Sequence, residues 1–517
     1  MARGLVERYV DSVAGRTGGG TWLTKNLRKV FPSHFSFLWG ELALYSFVVL
    51  VATGTYLTFF FEGSQEQVIY DGSYAPLRGE EVSAAYESVM RLSYEVKGGL
   101  FIRQMHHWAA LVFVAAIALH MARVFFTGAF RRPRDLNWYV GVTLLILALG
   151  AGFTGYSLPD DLLSGTGLRI TNAIILSIPL IGERLAFLVF GGEWPGTDII
   201  GRLYPVHILL IPLLIFGLLG LHLALVWRQK HTQFPGPGRT EHNVVGERVW
   251  PSFAMKSIGL MFLTAGVIAA MGAVFEINPV WLYGPYDSGA ATSLAQPDWY
   301  IGFLEGSLRL MPPWETRIGG FVINNIFYAG VLVAGVIFGG LYAVPIIERW
   351  LTGDDGEHHL LDRPRDAPYR TAFGAASITG MTILFVGGAQ DLVARTFDMS
   401  VGHVTSILQV LFLVAPPIAF YVTVRTCRAL SARPGPERTE RRVPVERAAD
   451  GGYGVPYDDA DIDWMVEGGA APGHFDEITE HAAVRGPHRH ASTPRPGSDG
   501  DGDSGATAID AGAEAES

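Results

Sequence analysis

Two stretches of the chain carry a pair of histidines each inside otherwise apolar sequence. Gly99–Gly128 holds His106 and His120, and Tyr204–Gln229 holds His207 and His222. Each is long enough to cross a bilayer as a helix, which takes about 20 residues. An ionisable group within a membrane is costly and marks function by default. His106 and His120 stand fourteen residues apart, which is about 21 Å along a helix and within about 40° of one face. His207 and His222 stand fifteen apart, about 22 Å and about 60° off in the other sense. Laid side by side, the two helices bring the histidines into two facing pairs, one near each membrane surface. Two imidazoles across a gap, with no carboxylate or cysteine beside them, suit the axial positions of a haem iron. The bland alternative, a core histidine satisfied by a neighbour, serves for one such residue but poorly for four at matched depth.

Two glycine pairs repeat the spacing: Gly40 and Gly54, then Gly141 and Gly155, each fourteen residues apart. Glycine in a helix lets a flat group or another backbone approach closely. The pattern predicts a four-helix bundle with two haems stacked along its axis, ligated from two helices and packed against glycine gaps on the other two. Arg103 lies three residues before His106, and Arg123 three after His120. Each is about one turn from a ligand, toward a membrane surface. Cations there suit haem propionates; the alternative is interfacial snorkelling.

The elements that must position these residues follow from hydropathy. Of 517 residues, 49% are hydrophobic and only 17% charged, and the mean hydropathy is +0.26. That composition is an all-α polytopic membrane protein. Eight spans are predicted, near 35–61, 100–127, 137–157, 204–228, 256–275, 318–346, 371–390 and 403–424. Residues 1–35 form a basic segment with a short amphipathic helix at Thr21–Phe31. Residues 36–230 hold the haem-binding bundle, and 231–426 a second group of four spans. Residues 427–517 are an acidic, Gly- and Pro-rich tail that reads as disordered. A surface helix is expected near Glu80–Leu92, and apolar pieces too short to cross lie in the 158–203 loop. Basic residues cluster before the first span and after the second, fourth, sixth and eighth, which puts both termini in the cytoplasm. The amino terminus shows no cleaved signal. The single cysteine, Cys427, excludes an internal disulfide, a cysteine-ligated cluster and covalent haem attachment. Any haem is therefore held by histidine and packing.

With these residues in view the chain resembles cytochrome b, the quinol-oxidising membrane subunit of bc complexes, over roughly residues 30–425. The histidine spacing, the flanking arginines and the glycine pairs fit. So do Gly155-Tyr156-Ser157-Leu158-Pro159, Thr171-Asn172 and Ile178-Pro179-Leu180-Ile181-Gly182 after the third span, and Pro297-Asp298-Trp299-Tyr300 after the fifth. Three features depart from the commonest pattern: fourteen residues lie between His207 and His222, Asp298 replaces a usual glutamate, and the tail is long. The combination is similar to the actinobacterial type, which oxidises menaquinol and joins a haem–copper oxidase in a supercomplex.

The resemblance implies two non-covalent b-type haems. His106 and His207 would hold the low-potential one near the outer face, and His120 and His222 the high-potential one near the cytoplasm. Quinol would be oxidised at the outer face, one electron going to a Rieske iron–sulfur partner and the other across the haems to an inner quinone, with protons released outward. Asp298 would accept one proton beside the Tyr300 hydroxyl. At the inner quinone site Lys256 matches a family lysine, the neighbouring aspartate is Ser257, and the usual histidine falls at Trp227, so His231 is the substitute. A cytochrome c-type subunit and a homodimer of the complex are implied, with membrane lipid around it and no nucleic acid. Two other classes remain: a dihaem anchor of a dehydrogenase or hydrogenase, which leaves the Pro-Asp-Trp-Tyr loop unexplained, and a haem-free transporter, which predicts a broken-helix substrate site.

Overall fold

A computed structural model describes residues 26–290 and 296–432, with a few isolated residues outside them. Residues 21–25 of the expected amphipathic segment and nearly all of the tail, with its histidines, lie outside the described residues. Residues 26 and 27 are helical, and Val30–Phe31 pairs antiparallel with Glu247–Arg248 instead of extending a helix.

Among the described residues eight helices are long and apolar enough to span a membrane: Phe35–Leu57, Gly99–Phe126, Asp135–Tyr156, Ile199–Gln229, Val249–Val274, Phe327–Thr352, Pro368–Gly388 and Val401–Ser431. Each is apolar on nearly every face, as a helix must be when lipid covers what protein does not. Leu213, Phe262, Val336 and Leu413 show this, each more than 60% exposed. The first span packs along the second, the third along the fourth, and the fifth against the first two. Ala43, Phe47, Phe113, Val114, Ala148 and Ile215 fill the centre of the four-span bundle.

The sixth span begins at Phe327, not 318. Thr316–Ile318 and Phe321–Ile323 pair instead as a hairpin. Gly319 and Gly320 make the turn with φ of +53° and +88°, a conformation open to glycine at little steric cost. The fourth span starts earlier than its apolar run implies, at Ile199. It crosses Pro205 and Pro212 with a widened π turn at Val206–Leu210, where the Ile211 N–H reaches Val206 O. Pro212 has no N–H to donate and its ring crowds the preceding turn, which favours such a turn.

Loops gather into two rims. One is drawn together by buried Arg134, which donates to the carbonyls of Gln229, Lys230 and His358 at 2.7–3.3 Å and to His359 Nδ1 at 2.8 Å. At the other rim Ser83 caps the Ala84–Tyr94 surface helix, and the short helices Leu162–Leu176 and Gly182–Phe190 lie after the third span. There the Leu162 N–H donates to Gly284 O at 3.0 Å and the Tyr286 N–H to Asp160 O at 2.9 Å. These bonds join the loop after the third span to the loop after the fifth.

Candidate functional site

The four histidines form two facing pairs from the second and fourth spans. The His106 and His207 rings lie 6.3 Å apart, centre to centre, at 78°. His120 and His222 repeat this at 6.3 Å and 71°. A first-row metal–imidazole bond is about 2.0–2.1 Å, and a ring centre sits about 1.1 Å behind its nitrogen, so two axial imidazoles on one metal have centres about 6.3 Å apart. Each pair therefore fits one iron between its own two rings.

At the first pair the outer nitrogens are oriented for this, whereas Nδ1 of His222, in the second pair, is buried without a hydrogen-bond partner. His207 Nδ1 donates to Ala151 O at 3.0 Å and lies 3.2 Å from Thr154 Oγ1. His106 Nδ1 lies 2.9 Å from Thr53 Oγ1. Each threonine already donates its own proton, to Val49 O at 2.7 Å and Gly150 O at 2.8 Å. Toward the histidine it can only accept, so Nδ1 carries the hydrogen and Nε2 keeps its lone pair. His120 Nδ1 is buried without a hydrogen-bond partner.

The glycines stand directly against the imidazoles. A Cβ at Gly54 would lie 3.1 Å from His106 Cε1, and one at Gly40 3.1 Å from His120 Cε1. On the third span, a Cβ at Gly155 would lie 2.9 Å from His207 Nε2, and one at Gly141 3.8 Å from His222 Cε1. First-span glycines thus seat second-span histidines, and third-span glycines seat fourth-span histidines.

A cavity of about 530 Å³ opens around the first pair; Gly54, Arg103, His106, His207, Asp298 and Tyr300 line it. Arg103 gives Nη1 and Nη2 to Asn278 O at 3.3 Å, while its buried Nε has no partner. A cavity of about 90 Å³ at the second pair is lined by His120, Arg123, Arg134, Gly141, His222 and His231. Arg123 Nε and Nη2 are buried without partners there, and its guanidinium lies over the Phe37 ring at 4.3 Å. Buried guanidinium donors left unpaired are costly, and anionic oxygens would satisfy them.

Asp298 is buried and held from two sides. His107 Nε2 donates to its oxygens at 2.7 and 2.9 Å, and the Tyr300 hydroxyl donates to Oδ2 at 2.9 Å. Burial and the facing Asp298 carboxylate raise the Tyr300 pKa well above its ordinary value, so the phenol stays a donor. Gly152 admits the Tyr300 ring: a Cβ there would fall 2.7 Å from Cζ.

Beyond the second pair, Lys256 Nζ pairs with buried Glu247 at 2.5 Å. Its neighbour Ser257 donates to Glu41 Oε2 at 2.5 Å and hydrogen-bonds Tyr45. His231 is packed against Phe37 with ring centres 4.3 Å apart. Burial, then the Arg123 charge, push its pKa down to about 3, and its Nδ1 donates to Thr232 O at 2.8 Å.

A cytochrome b family model, described as Cytochrome b(N-terminal)/b6/petB, matches residues 111–285. The cytochrome bc1 complex cytochrome b subunit of Streptomyces coelicolor is 49% identical over 427 residues, 83% of this chain and 78% of that one. The subunit of the same name from Mycobacterium tuberculosis is 49% identical over 440 residues, 85% and 79% of the two chains. That from Corynebacterium diphtheriae is 48% identical over 433 residues, covering 84% and 79%. The chain belongs to the cytochrome b subunit family of bc1 complexes. As a cytochrome b it also shares the fold of a chain from a hyperthermophilic respiratory Complex III, with a TM-score of 0.59 at 20% identity, over 80% of this chain and 100% of that one.

Three features of this cytochrome b escaped the sequence. His107, next to a ligand candidate, faces Asp298 instead of a haem-sized gap. A second intramembrane histidine in the dipeptide His106-His107 was the available signal. Thr53 and Thr154 support the histidines of the first pair, and each directly precedes a paired glycine. Asp161, which caps the Leu162–Leu176 helix, lines the larger cavity.

Proposed function

We propose that the chain is the quinol-oxidising membrane subunit of a respiratory quinol–cytochrome c oxidoreductase. His106 with His207, and His120 with His222, would each hold one non-covalent b-type haem, with Arg103 and Arg123 turned toward propionates. Bound there, bis-histidine haems supply one-electron transfer and offer no open coordination position. The remaining chemistry belongs to the protein. The cavity beside the first pair receives a quinol, menaquinol by the actinobacterial type of the relatives, and Asp298 takes a hydroxyl proton while His107 and Tyr300 hold the carboxylate in place.

The other quinone site lies near the second pair, where His231 lines the cavity. Lys256 is engaged by Glu247, so Glu41 and Ser257 are the polar groups left beside it. Electrons leave to a Rieske protein and a cytochrome c-type subunit, because the single cysteine leaves this chain without cluster ligands of its own. A homodimer, a supercomplex with a haem–copper oxidase, proton translocation and cytoplasmic termini complete the reading.

The observation that carries it is the equal 6.3 Å ring separation at both pairs, with Asp298 in the cavity of one. The test is a reduced-minus-oxidised spectrum with haem quantification on the purified complex, for wild type and His222→Ala. Two b-type haems falling to one support it. A folded preparation with no haem overturns it, and two haems unchanged by the substitution remove His222 as a ligand.

A further inference from the structure

The large cavity holds a second buried carboxylate from a different loop. Asp161 opens the Leu162–Leu176 helix, is only 3% exposed and lines the same space as Asp298. Part of its role is structural. Oδ1 accepts the Ser164 N–H at 3.0 Å, and Ser164 Oγ accepts the Asp161 N–H at 3.1 Å, closing a capping box. A cap alone leaves a buried charge without a counter-ion, and among the described residues no ion pair reaches Asp161. The cation that faces it, Arg103 of the second span, turns its terminal nitrogens to Asn278 O. The other titratable groups facing it are Tyr86 of the surface helix, Tyr156 of the third span and Tyr283 of the turn after the fifth.

The wall is also firmly placed. Leu162 and Asp160 are bonded to Gly284 and Tyr286, so the carboxylate is fixed relative to the loop that leads on to Asp298. Burial raises the Asp161 carboxyl to about 6, against the opposing pull of Ser164 and Arg103. An acid in that range exchanges protons near neutral pH, where an ordinary aspartate is almost wholly ionised.

We propose that Asp161 is a second proton acceptor in the quinol cavity, so that Asp298 and Asp161 each take one hydroxyl proton as a bound hydroquinone is oxidised. This rests on the quinol reading above. Both O–H bonds break and both ring C–O bonds become carbonyls. Two protons pass to the two carboxylates, and two electrons leave to the one-electron acceptors already named by class, an iron–sulfur partner and a b-type haem.

Asp161→Asn keeps an oxygen for the Ser164 N–H, so the cap and the fold survive while the proton site is lost. In the intact complex the substitution should slow menaquinol-analogue oxidation by roughly 10²-fold. Wild type should lose rate on acidification through about pH 6, since the protonated acid cannot act as a base, and the variant should lack that step. Haem content should not change. Infrared difference spectra on adding the quinol should show a protonated-carboxyl band in wild type that is missing in the variant. Asp161→Ser, which also keeps a capping oxygen, should behave alike. Wild-type rate, pH profile and carboxyl band in these variants would overturn the proposal. Asp298→Asn run in parallel separates the two readings. If it alone loses activity, only the role of Asp161 falls; if neither substitution matters in a dihaem preparation, the quinol cavity itself is misplaced.

Discussion

The role proposed for Asp298 rests on its contacts. A carboxylate held by a histidine N–H and a buried phenol is fixed in direction and stays available on its remaining lone pairs. Its geometry depends on a position that carries no chemistry, Gly152, against which the Tyr300 ring lies. Gly152→Ala should displace that ring, free one side of Asp298 and lower quinol oxidation about tenfold or more, while haem content per chain stays at the wild-type value. Loss of haem instead would show that Gly152 supports the bundle and not the loop. At this scale the sequence was legible where residue type and spacing repeat, as with the four histidines, and where a motif is dense, as with Pro297–Tyr300. It was silent on His107 and Asp161, because their places at the cavity depend on loops from elsewhere in the chain closing over it.

The fourth span settles a discrepancy that residue counting raised. A straight helix would leave His222 about 60° away from the face of His207. The π turn at Val206–Leu210 accommodates one extra residue, so fifteen residues do the geometric work of fourteen and both pairs end at the same 6.3 Å. Deleting Leu209 should convert that turn to a regular one and keep two haems per chain. Inserting an alanine after Gly217 should rotate His222 by about 100° and lose one haem. Haem quantification on both variants decides this, and two haems retained after the insertion would refute the register. The spans themselves were legible from hydropathy, but their ends were not. The sixth starts nine residues later than its apolar run because Gly319-Gly320 turns that run into a hairpin.

Across the whole molecule, the two rims differ in charge. The rim drawn together by Arg134 also holds Arg131, Arg132, Lys230 and Arg349, and the cytoplasmic orientation proposed above by the positive-inside rule can be tested on it. With the lone Cys427 replaced by serine, a cysteine at exposed Gly356 should react with an impermeant thiol reagent only in inverted vesicles. One at exposed Ser73 should react in intact cells. The reverse labelling would turn the molecule over and exchange the two quinone sites.

The separation of the two histidine pairs has an electrical meaning. About 21 Å of helix lies between His106 and His120, roughly two-thirds of the about 30 Å hydrocarbon layer. A unit charge crossing the full layer exchanges about 2.3 kcal/mol with each 100 mV of membrane voltage. Passage between the pairs therefore exchanges about 1.5 kcal/mol with the same voltage. With a haem held at each pair as proposed, the bundle would be a resistor placed across the membrane's own battery, and its current should fall as that battery charges.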